Sequence, residues 1–416
     1  MRLLPLGAGR DAGLLLQTRG IRAFADGLIG VMLAGYLAAI GLSDARIGVV
    51  VTATLLGSAA MTLLVGLRAH HIARRRLLRL VSLLMIATGL GFASVTSFWL
   101  LLVIAFLGTL NPSSGDVSVF VPTEQALLPG TAPDTQRTAL FARYSLFGTL
   151  VGAIGALCAG VPEWLGGRVG VASTTALRWT FVGYAALGLA VLLRYGRLSP
   201  AIEPADEATS TASGRSRPIV YRLAALFSLD AFGGGFVITA LLVFWLQRRF
   251  ELSVAVSGVV FFWAGVLAAF SALIAVRIAE RIGLVRTMVF THLPANGFLI
   301  LAAFMPTAPL AVAALLARAA LSQMDVPART SYVMAVVSPA ERPAAASLTN
   351  VPRSLAAALP PVAAGWMLGH STFGWPLVIG GALKATYDLL LLRQFRHIRP
   401  PEESGACAES PNTQRT

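Results

Sequence analysis

Long apolar runs, broken by short polar stretches, dominate the chain. Residues 47–67, 80–115, 287–317 and 354–383 contain no Asp, Glu, Lys or Arg. The first run matches one bilayer span of about 20 residues, and each of the others is long enough for most of two spans. Because lipid offers the backbone no hydrogen-bond partners, these runs are predicted to be helices. The pattern therefore indicates an all-α membrane protein.

The apolar pattern divides the chain into twelve predicted transmembrane helices, six on each side of a long polar break. Their approximate ranges are 19–42, 47–67, 78–97, 98–127, 138–162, 174–194, 220–247, 254–276, 284–305, 307–336, 343–368 and 373–392. We expect an N-terminal six-helix bundle over 1–195 and a C-terminal one over 218–397. The proline- and serine-rich segment 196–217 is typical of a solvated linker, and the polar tail 398–416 is predicted to be disordered.

The two predicted bundles repeat each other. Similar residues recur 204 to 210 positions apart. The matching pairs include Asp26 with Asp230, Ser43 with Ser253, and Asp116 with Asp325. Such internal duplication is common in secondary transporters, where the substrate path lies between the repeats near the membrane midplane.

Composition supports the membrane assignment. Of 416 residues, 56% are hydrophobic and only 12% are charged, and the mean hydropathy is +0.74. Soluble domains carry about twice that charged fraction. The Arg- and Ala-rich composition favours a bacterial inner membrane.

The net charge of +14 does not indicate a nucleic-acid partner, because its distribution follows the predicted membrane topology. Of 33 Lys and Arg, five lie opposite the termini and five lie within helices, leaving 23 on the side that holds both termini. Positive residues remain cytoplasmic. Both termini are therefore predicted to be cytoplasmic.

Two short stretches carry a family resemblance. Residues 66–76 read GLRAHHIARRR, with an opening glycine and a basic cluster, and residues 280–283 read ERIG. The chain resembles the major facilitator superfamily, whose signature joins a glycine, an Asp-Arg pair, a second glycine and basic residues. His70 and His71 stand where the family has the Asp-Arg pair. In that family the signature forms a cytoplasmic latch. The corresponding residues here are Gly66, Arg74, Arg75, Glu280, Arg281 and Gly283.

The resemblance implies two pseudo-symmetric six-helix bundles and secondary transport of a small organic solute by a monomer. The series Gly148, Gly152, Gly155 and Gly160 is similar to the glycine-rich fifth helix of drug and metabolite exporters in the family, although their Gly-Pro pair is absent. Proton-coupled export by alternating access is thus the first interpretation. Facilitated diffusion or proton symport into the cell is the alternative.

Charged residues inside the membrane each need a partner or a function, because their insertion costs about 3 kcal/mol. The resemblance places helices one, four, seven and ten around the substrate path, so the candidates for proton coupling are Asp116, Asp26, Asp325 and Asp230. Asp116 is the first candidate, since no base lies three or four residues away and Asn111-Pro112 opens the helix before it. Glu124 is expected close to the membrane interface.

Spacing of four residues predicts three ion pairs on single helices: Arg22 with Asp26, Asp325 with Arg329, and Lys384 with Asp388. Arg143 and Arg353 have no acid at such a spacing. We therefore expect Arg143 and Arg353 to bind either an acid on another helix or an anionic ligand. Arg329 is a candidate for the same role in addition to its pair with Asp325.

The sequence offers no enzyme constellation. The histidines lack metal-ligand spacing, and no glycine-rich phosphate loop with lysine occurs. No metal or other cofactor is expected. The expected partners are a small-molecule substrate, protons and the lipid bilayer. A membrane sensor and a membrane-embedded transferase remain alternatives of a different class.

The arginine asymmetry yields a test of topology. A periplasm-dependent reporter fused after Thr416 should be inactive, because a cytoplasmic tail never reaches the periplasm. The same reporter inserted within 166–172 should be strongly active. Reporter activity in whole cells provides the measurement, and the reverse pattern would contradict both the topology and the repeat.

Overall fold

A computed structural model describes residues 7–68, 72–113, 119–203, 217–336 and 342–395. Its described residues form helices connected by turns and short loops. Nine of the helical stretches in these ranges are long and apolar enough to cross a membrane. Pairs of shorter helices occupy the predicted fourth, tenth and eleventh membrane segments, which is consistent with the predicted twelve.

The N-terminal half contains eight α-helices. They are α1 (Arg10–Ala39), α2 (Asp44–Arg68), α3 (Arg74–Ser94), α4 (Phe98–Leu107), α5 (Phe120–Leu127), α6 (Arg137–Leu157), α7 (Val161–Val169) and α8 (Ser173–Gly196).

The C-terminal half contains nine. They are α9 (Arg217–Gly235), α10 (Thr239–Phe250), α11 (Val254–Ile282), α12 (Leu284–Phe304), α13 (Ala308–Ala319), α14 (Asp325–Val336), α15 (Arg342–Ala358), α16 (Pro360–His370) and α17 (Trp375–Phe395).

Local sequence signals set several helix ends. Gly41 has φ of 89° and Gly283 has φ of 87°, a backbone region that favours glycine, and they lie in the turns after α1 and α11. The Ser253 hydroxyl accepts a hydrogen bond from the Val256 backbone N–H at 3.2 Å and so caps α11. Ser253, the repeat partner of Ser43, is thus the residue at which a helix starts in the second half.

Glycines allow close helix packing within the N-terminal half, where α1 packs against α6 and α8. A Cβ atom at Gly27 of α1 would overlap the Gly152 carbonyl of α6, and one at Gly155 would overlap the Phe24 carbonyl. Small residues let membrane helices approach to backbone contact. Packing alone therefore accounts for part of the glycine series in α6.

The two halves meet along three seams: α2 packs on α15 and α16, α6 packs on α11, and α1 packs on α10. At the first seam, a Cβ at Gly48 would overlap the Pro361 carbonyl, and one at Gly365 would lie 2.7 Å from the Asp44 carbonyl. An ion pair between Asp44 and Arg248 joins the halves beside it. Because α1 ends and α2 begins here, these contacts lie at the bundle end opposite the start of α1. We call it the far end.

The opposite end, the near end, carries the start of α1 and the end of α8. Asp11 accepts hydrogen bonds from the backbone N–H (3.1 Å) and the hydroxyl (2.5 Å) of Ser199. The Glu203 carboxylate accepts the backbone N–H groups of Arg74 at 3.0 Å and Arg75 at 2.8 Å. A carboxylate at a helix N-terminus satisfies free donors and complements the helix dipole. Glu203 therefore fixes the first residues of the linker to α3.

Candidate functional site

Buried polar side chains gather in two groups, one in each half. The N-terminal cluster consists of Thr18, Arg22, Glu124, Tyr144 and Tyr195. The C-terminal cluster consists of Asp230, His292, Asn296, Asp325, Arg329, Lys384 and Asp388. Each cluster draws its members from four helices of its own half.

Glu124 of α5 is the centre of the N-terminal cluster and is 0% exposed. Its Oε1 accepts hydrogen bonds from Thr18 Oγ1 at 2.7 Å and the Tyr195 hydroxyl at 2.6 Å. Its Oε2 accepts a hydrogen bond from the Tyr144 hydroxyl and forms an ion pair with Arg22. Two donors on each oxygen satisfy the carboxylate and connect α1, α5, α6 and α8.

This geometry corrects one expectation. Arg22 does not form its ion pair with Asp26 four residues later; Glu124 on another helix takes that place. A fully buried carboxylate that satisfies both charge and hydrogen bonds outcompetes a half-buried neighbour on the same helix. Glu124 is completely buried, and its partner Tyr195 lies in the last turn of α8 at the near end, so its expected position close to the membrane interface stays a prediction.

Asp26 is half-buried and lines a small cavity in the N-terminal half. The cavity lining also includes Arg22, Thr109 and Tyr184. The Tyr184 hydroxyl donates to the Thr109 carbonyl at 3.1 Å. A carboxylate within the membrane needs a partner or a function, and this one can bind a proton beside the cavity.

Asp230 of α9 is the centre of the C-terminal cluster. Its Oδ1 lies 2.5 Å from Lys384 Nζ of α17, and its Oδ2 lies 3.4 Å from Arg329 Nη1 of α14. His292 of α12 places Nε2 3.9 Å from the same Oδ1. One carboxylate thus faces basic groups from three other helices.

Arg329 also pairs with Asp325 on its own helix, at 3.3 Å. This confirms the ion pair predicted from spacing. Its guanidinium lies 5.6 Å from the ring centroid of Phe227 on α9, within the range of a cation–π contact. Arg329 therefore joins α14 to α9 through Asp230 and Phe227.

The predicted pair of Lys384 with Asp388 is wrong. Lys384 pairs with Asp230, while Asp388 receives the Asn296 side-chain amide at 2.9 Å and lies 2.9 Å from His292 Nδ1. The side chains of Lys384 and Asp388 thus bind different helices, α9 and α12. Both acids can then be satisfied within the buried cluster, which one local pair would not achieve.

The remaining basic candidates are separate from these pairs. Arg143 is half-buried in α6, and Arg353 is half-buried in α15. The Nε atoms of Arg353 and of Arg318, in the last turn of α13, are buried without a hydrogen-bond partner. Arg353 lies close enough to Asp230 and Asp325 to interact with both electrostatically.

The expected latch residues lie at the near end but come from different helices. Some of them contact other helices, and others are exposed. Arg74 Nη1 donates to the Ala126 carbonyl at 3.1 Å, which joins α3 to α5. Glu280 and Arg281 are exposed at the end of α11, and Gly283 forms the turn after it. Gly66 is exposed near the end of α2. Across the described ranges no ion pair involves Glu280 or Arg281.

Asp116, His70 and His71 lie outside the described residues, so their expected roles stay predictions. Within the described ranges, no group of three or more His, Cys, Asp or Glu is placed to hold a metal ion.

Sequence reasoning missed His292 and the two tyrosines of the N-terminal cluster. His292 lies in an otherwise uncharged run with Asn296 four residues later, a spacing that places both on one helix face. The spacing of His292 and Asn296 was therefore the feature of the sequence that could have identified this histidine. Nothing in the sequence marked Tyr144 and Tyr195, because tyrosine is common in membrane helices.

Known proteins resemble this chain in sequence. Residues 18–224 match the family model described as Major Facilitator Superfamily. An uncharacterized membrane protein of Saccharomyces cerevisiae, YJR124C, is 26% identical over 93% of this chain and 94% of its own length.

Solved transporters share the fold. A bacterial homolog of the human lysosomal transporter Spinster, inward-facing and occupied, superimposes with a TM-score of 0.75 at 16% identity, covering 93% of this chain and 97% of that one. A D-xylose–proton symporter has a TM-score of 0.70 at 16% identity over 95% and 98%. These likenesses establish the fold for nearly the whole chain.

The N-terminal cluster around Glu124 predicts how two substitutions change the stability of the protein. Glu124→Gln removes the charge that compensates Arg22, so it should destabilise the protein by about 3–5 kcal/mol, as broken buried pairs do. Adding Arg22→Met should recover part of the loss. Unfolding of the purified protein in detergent measures both effects.

Asp44→Asn is the matched control, because its partner Arg248 is 47% exposed. Loss of an exposed pair costs about 1 kcal/mol or less. If Glu124→Gln unfolded no more readily than Asp44→Asn, the central role of Glu124 would be refuted.

Proposed function

We propose that this chain is a member of the Major Facilitator Superfamily, whose model matches residues 18–224, and that it exports a small organic solute in exchange for protons. The fold of a solved transporter covers 93% of the chain. It is a transporter rather than an enzyme. Three properties are proposed. The direction of transport is outward, the coupling ion is the proton, and the location is a bacterial inner membrane with both termini cytoplasmic.

Alternating access is supported by how the halves meet. The glycine contacts of Gly48 with Pro361 and of Gly365 with Asp44 close the far end. At the near end, Glu280 and Arg281 are exposed. A packed far end, together with exposed Glu280 and Arg281 at the near end, supports the proposal of a carrier open towards its termini. Under the proposed topology, this state faces the cytoplasm.

Proton coupling rests on one observation: the His292 imidazole lies between two buried carboxylates. Its Nδ1 is 2.9 Å from Asp388 Oδ1, and its Nε2 is 3.9 Å from Asp230 Oδ1. If Nδ1–H donates to Asp388, Nε2 faces Asp230 and is the ring nitrogen available for proton transfer.

A proton on Nε2 would change the contacts of Asp230. Lys384 Nζ and His292 Nε2 face the same oxygen, Oδ1. A charged imidazolium would compete with Lys384 for this oxygen and weaken the link between α9 and α17. Arg329 would continue to hold Oδ2. Proton binding would thereby alter helix contacts within the C-terminal half, which is what coupling to a conformational change requires.

The N-terminal half would contribute Asp26 and Asp116 to the same path. Asp26 lines the small cavity beside Arg22, and Asp116 remains the first candidate by sequence. We propose that Asp116 exchanges its proton as the solute binds, so that Asp116→Asn would uncouple transport. Asp325 has a different role, because its ion pair with Arg329 makes it structural.

Export is favoured by the glycine series of α6, which is similar to that of exporters in the superfamily. Proton symport into the cell is the second candidate, favoured by the missing Gly-Pro pair in α6 and by Pro360-Pro361 in the eleventh membrane segment. A susceptibility and uptake screen of a deletion strain against a compound panel would identify the solute and the direction together.

The coupling proposal is tested on vesicles loaded with the solute from that screen. His292→Gln should abolish accumulation driven by an imposed pH gradient, because glutamine cannot accept the proton. It should leave solute counterflow measurable, since counterflow needs binding and conformational exchange but no net proton movement.

His370→Gln is the matched control, because His370 is exposed at the far end and contacts only the Trp366 carbonyl and ring among described residues. It should accumulate solute like wild type. Full gradient-driven accumulation by His292→Gln would refute the role of this histidine and leave Asp116 and Asp26 as the candidates.

A further inference from the structure

Arg353 is a half-buried cation in a membrane helix, and no ion pair joins it to another described residue. Its Nε atom is buried and forms no hydrogen bond. Arg329 repels its guanidinium, while Asp230 and Asp325 attract it.

The nearby carboxylates are already engaged. Asp230 pairs with Lys384 through Oδ1 and with Arg329 through Oδ2. Asp325 pairs with Arg329. Neither acid forms an ion pair with Arg353 in the described ranges. Moving either one to Arg353 would leave Arg329 or Lys384 less compensated.

Position also favours a ligand. Arg353 lies on α15, which packs against α9 of its own half and against α2 of the other half. The site is therefore next to the boundary between the two bundles, where transporters with this duplication bind their substrates.

We propose that Arg353 and Arg329 bind the anionic group of the transported solute, which is an organic anion bearing a carboxylate or a phosphate. The planar guanidinium donates paired hydrogen bonds that match either group. An anion between the two guanidiniums offsets their repulsion. The assignment of this anion as the solute rests on the proposed transport function.

The binding site is tested on the purified full-length protein in detergent, independently of transport. Inorganic phosphate and benzoate are the two anion probes, added at constant ionic strength, and phenyltrimethylammonium is the cation probe. A ligand that binds only the folded state raises its unfolding temperature. At least one anion should raise that temperature in wild type, and which one does so distinguishes phosphate from carboxylate recognition.

Arg353→Gln should lose most of this anion-induced shift. Without ligand it should unfold at the same temperature as wild type or above it, because the repulsion from Arg329 is gone. Arg393→Gln, at an exposed position in the last turn of α17, is the matched control and should keep the full shift.

Equal shifts in wild type and Arg353→Gln, stabilisation by the cation probe alone, or no stabilisation by either anion would overturn the proposal. A retained anion shift without gradient-driven transport would contradict the proposed function instead.

Discussion

Compensation of charge within the membrane is the constraint on which the rest of this structure depends. Glu124 and Asp230 are each almost completely withdrawn from solvent, and an isolated charge in such a place is prohibitively costly. Each carboxylate meets its partners on several helices of its own half: Arg22, Thr18, Tyr144 and Tyr195 for Glu124, and Lys384 and Arg329 for Asp230. Compensation inside each half connects its helices without tying it to the other half.

The contacts between the halves are of a different kind. At the far end, backbone meets backbone at Gly48 and Gly365, and the accompanying ion pair of Asp44 with Arg248 is partly exposed. Such contacts can separate without leaving a charge in lipid, since Asp44 and Arg248 can be hydrated. The physical chemistry thus divides the molecule into two stable bundles and a separable boundary, which suits alternating access. Arg353, on a helix that packs at that boundary and without an ion pair in the described ranges, then provides a cation to which an anion can bind.

The fold could be predicted from the sequence to a large extent, because hydrocarbon forces apolar runs into helices and the repeat relates the two halves. Among charged residues, only the Asp325–Arg329 pair was predictable, since both partners lie on one helix turn. The partners of Glu124 lie 20 to 106 positions away, and local spacing carries no information about them. The same reason explains the wrong pairing of Lys384 with Asp388. His292 could have been noticed from its spacing to Asn296, but its acid partners Asp230 and Asp388 lie on other helices.

Distances between four spin labels test the claim of two rigid halves most directly. In a background lacking Cys158 and Cys407, labels at Gly66 and Ile282 mark the near end of each half, and labels at Val169 and Phe304 mark the far end. When solute or pH shifts the conformation, the Gly66–Ile282 and Val169–Phe304 distances should change in opposite directions. The distances within each half, Gly66–Val169 and Ile282–Phe304, should stay constant. Changes within a half as large as those between halves would contradict the account.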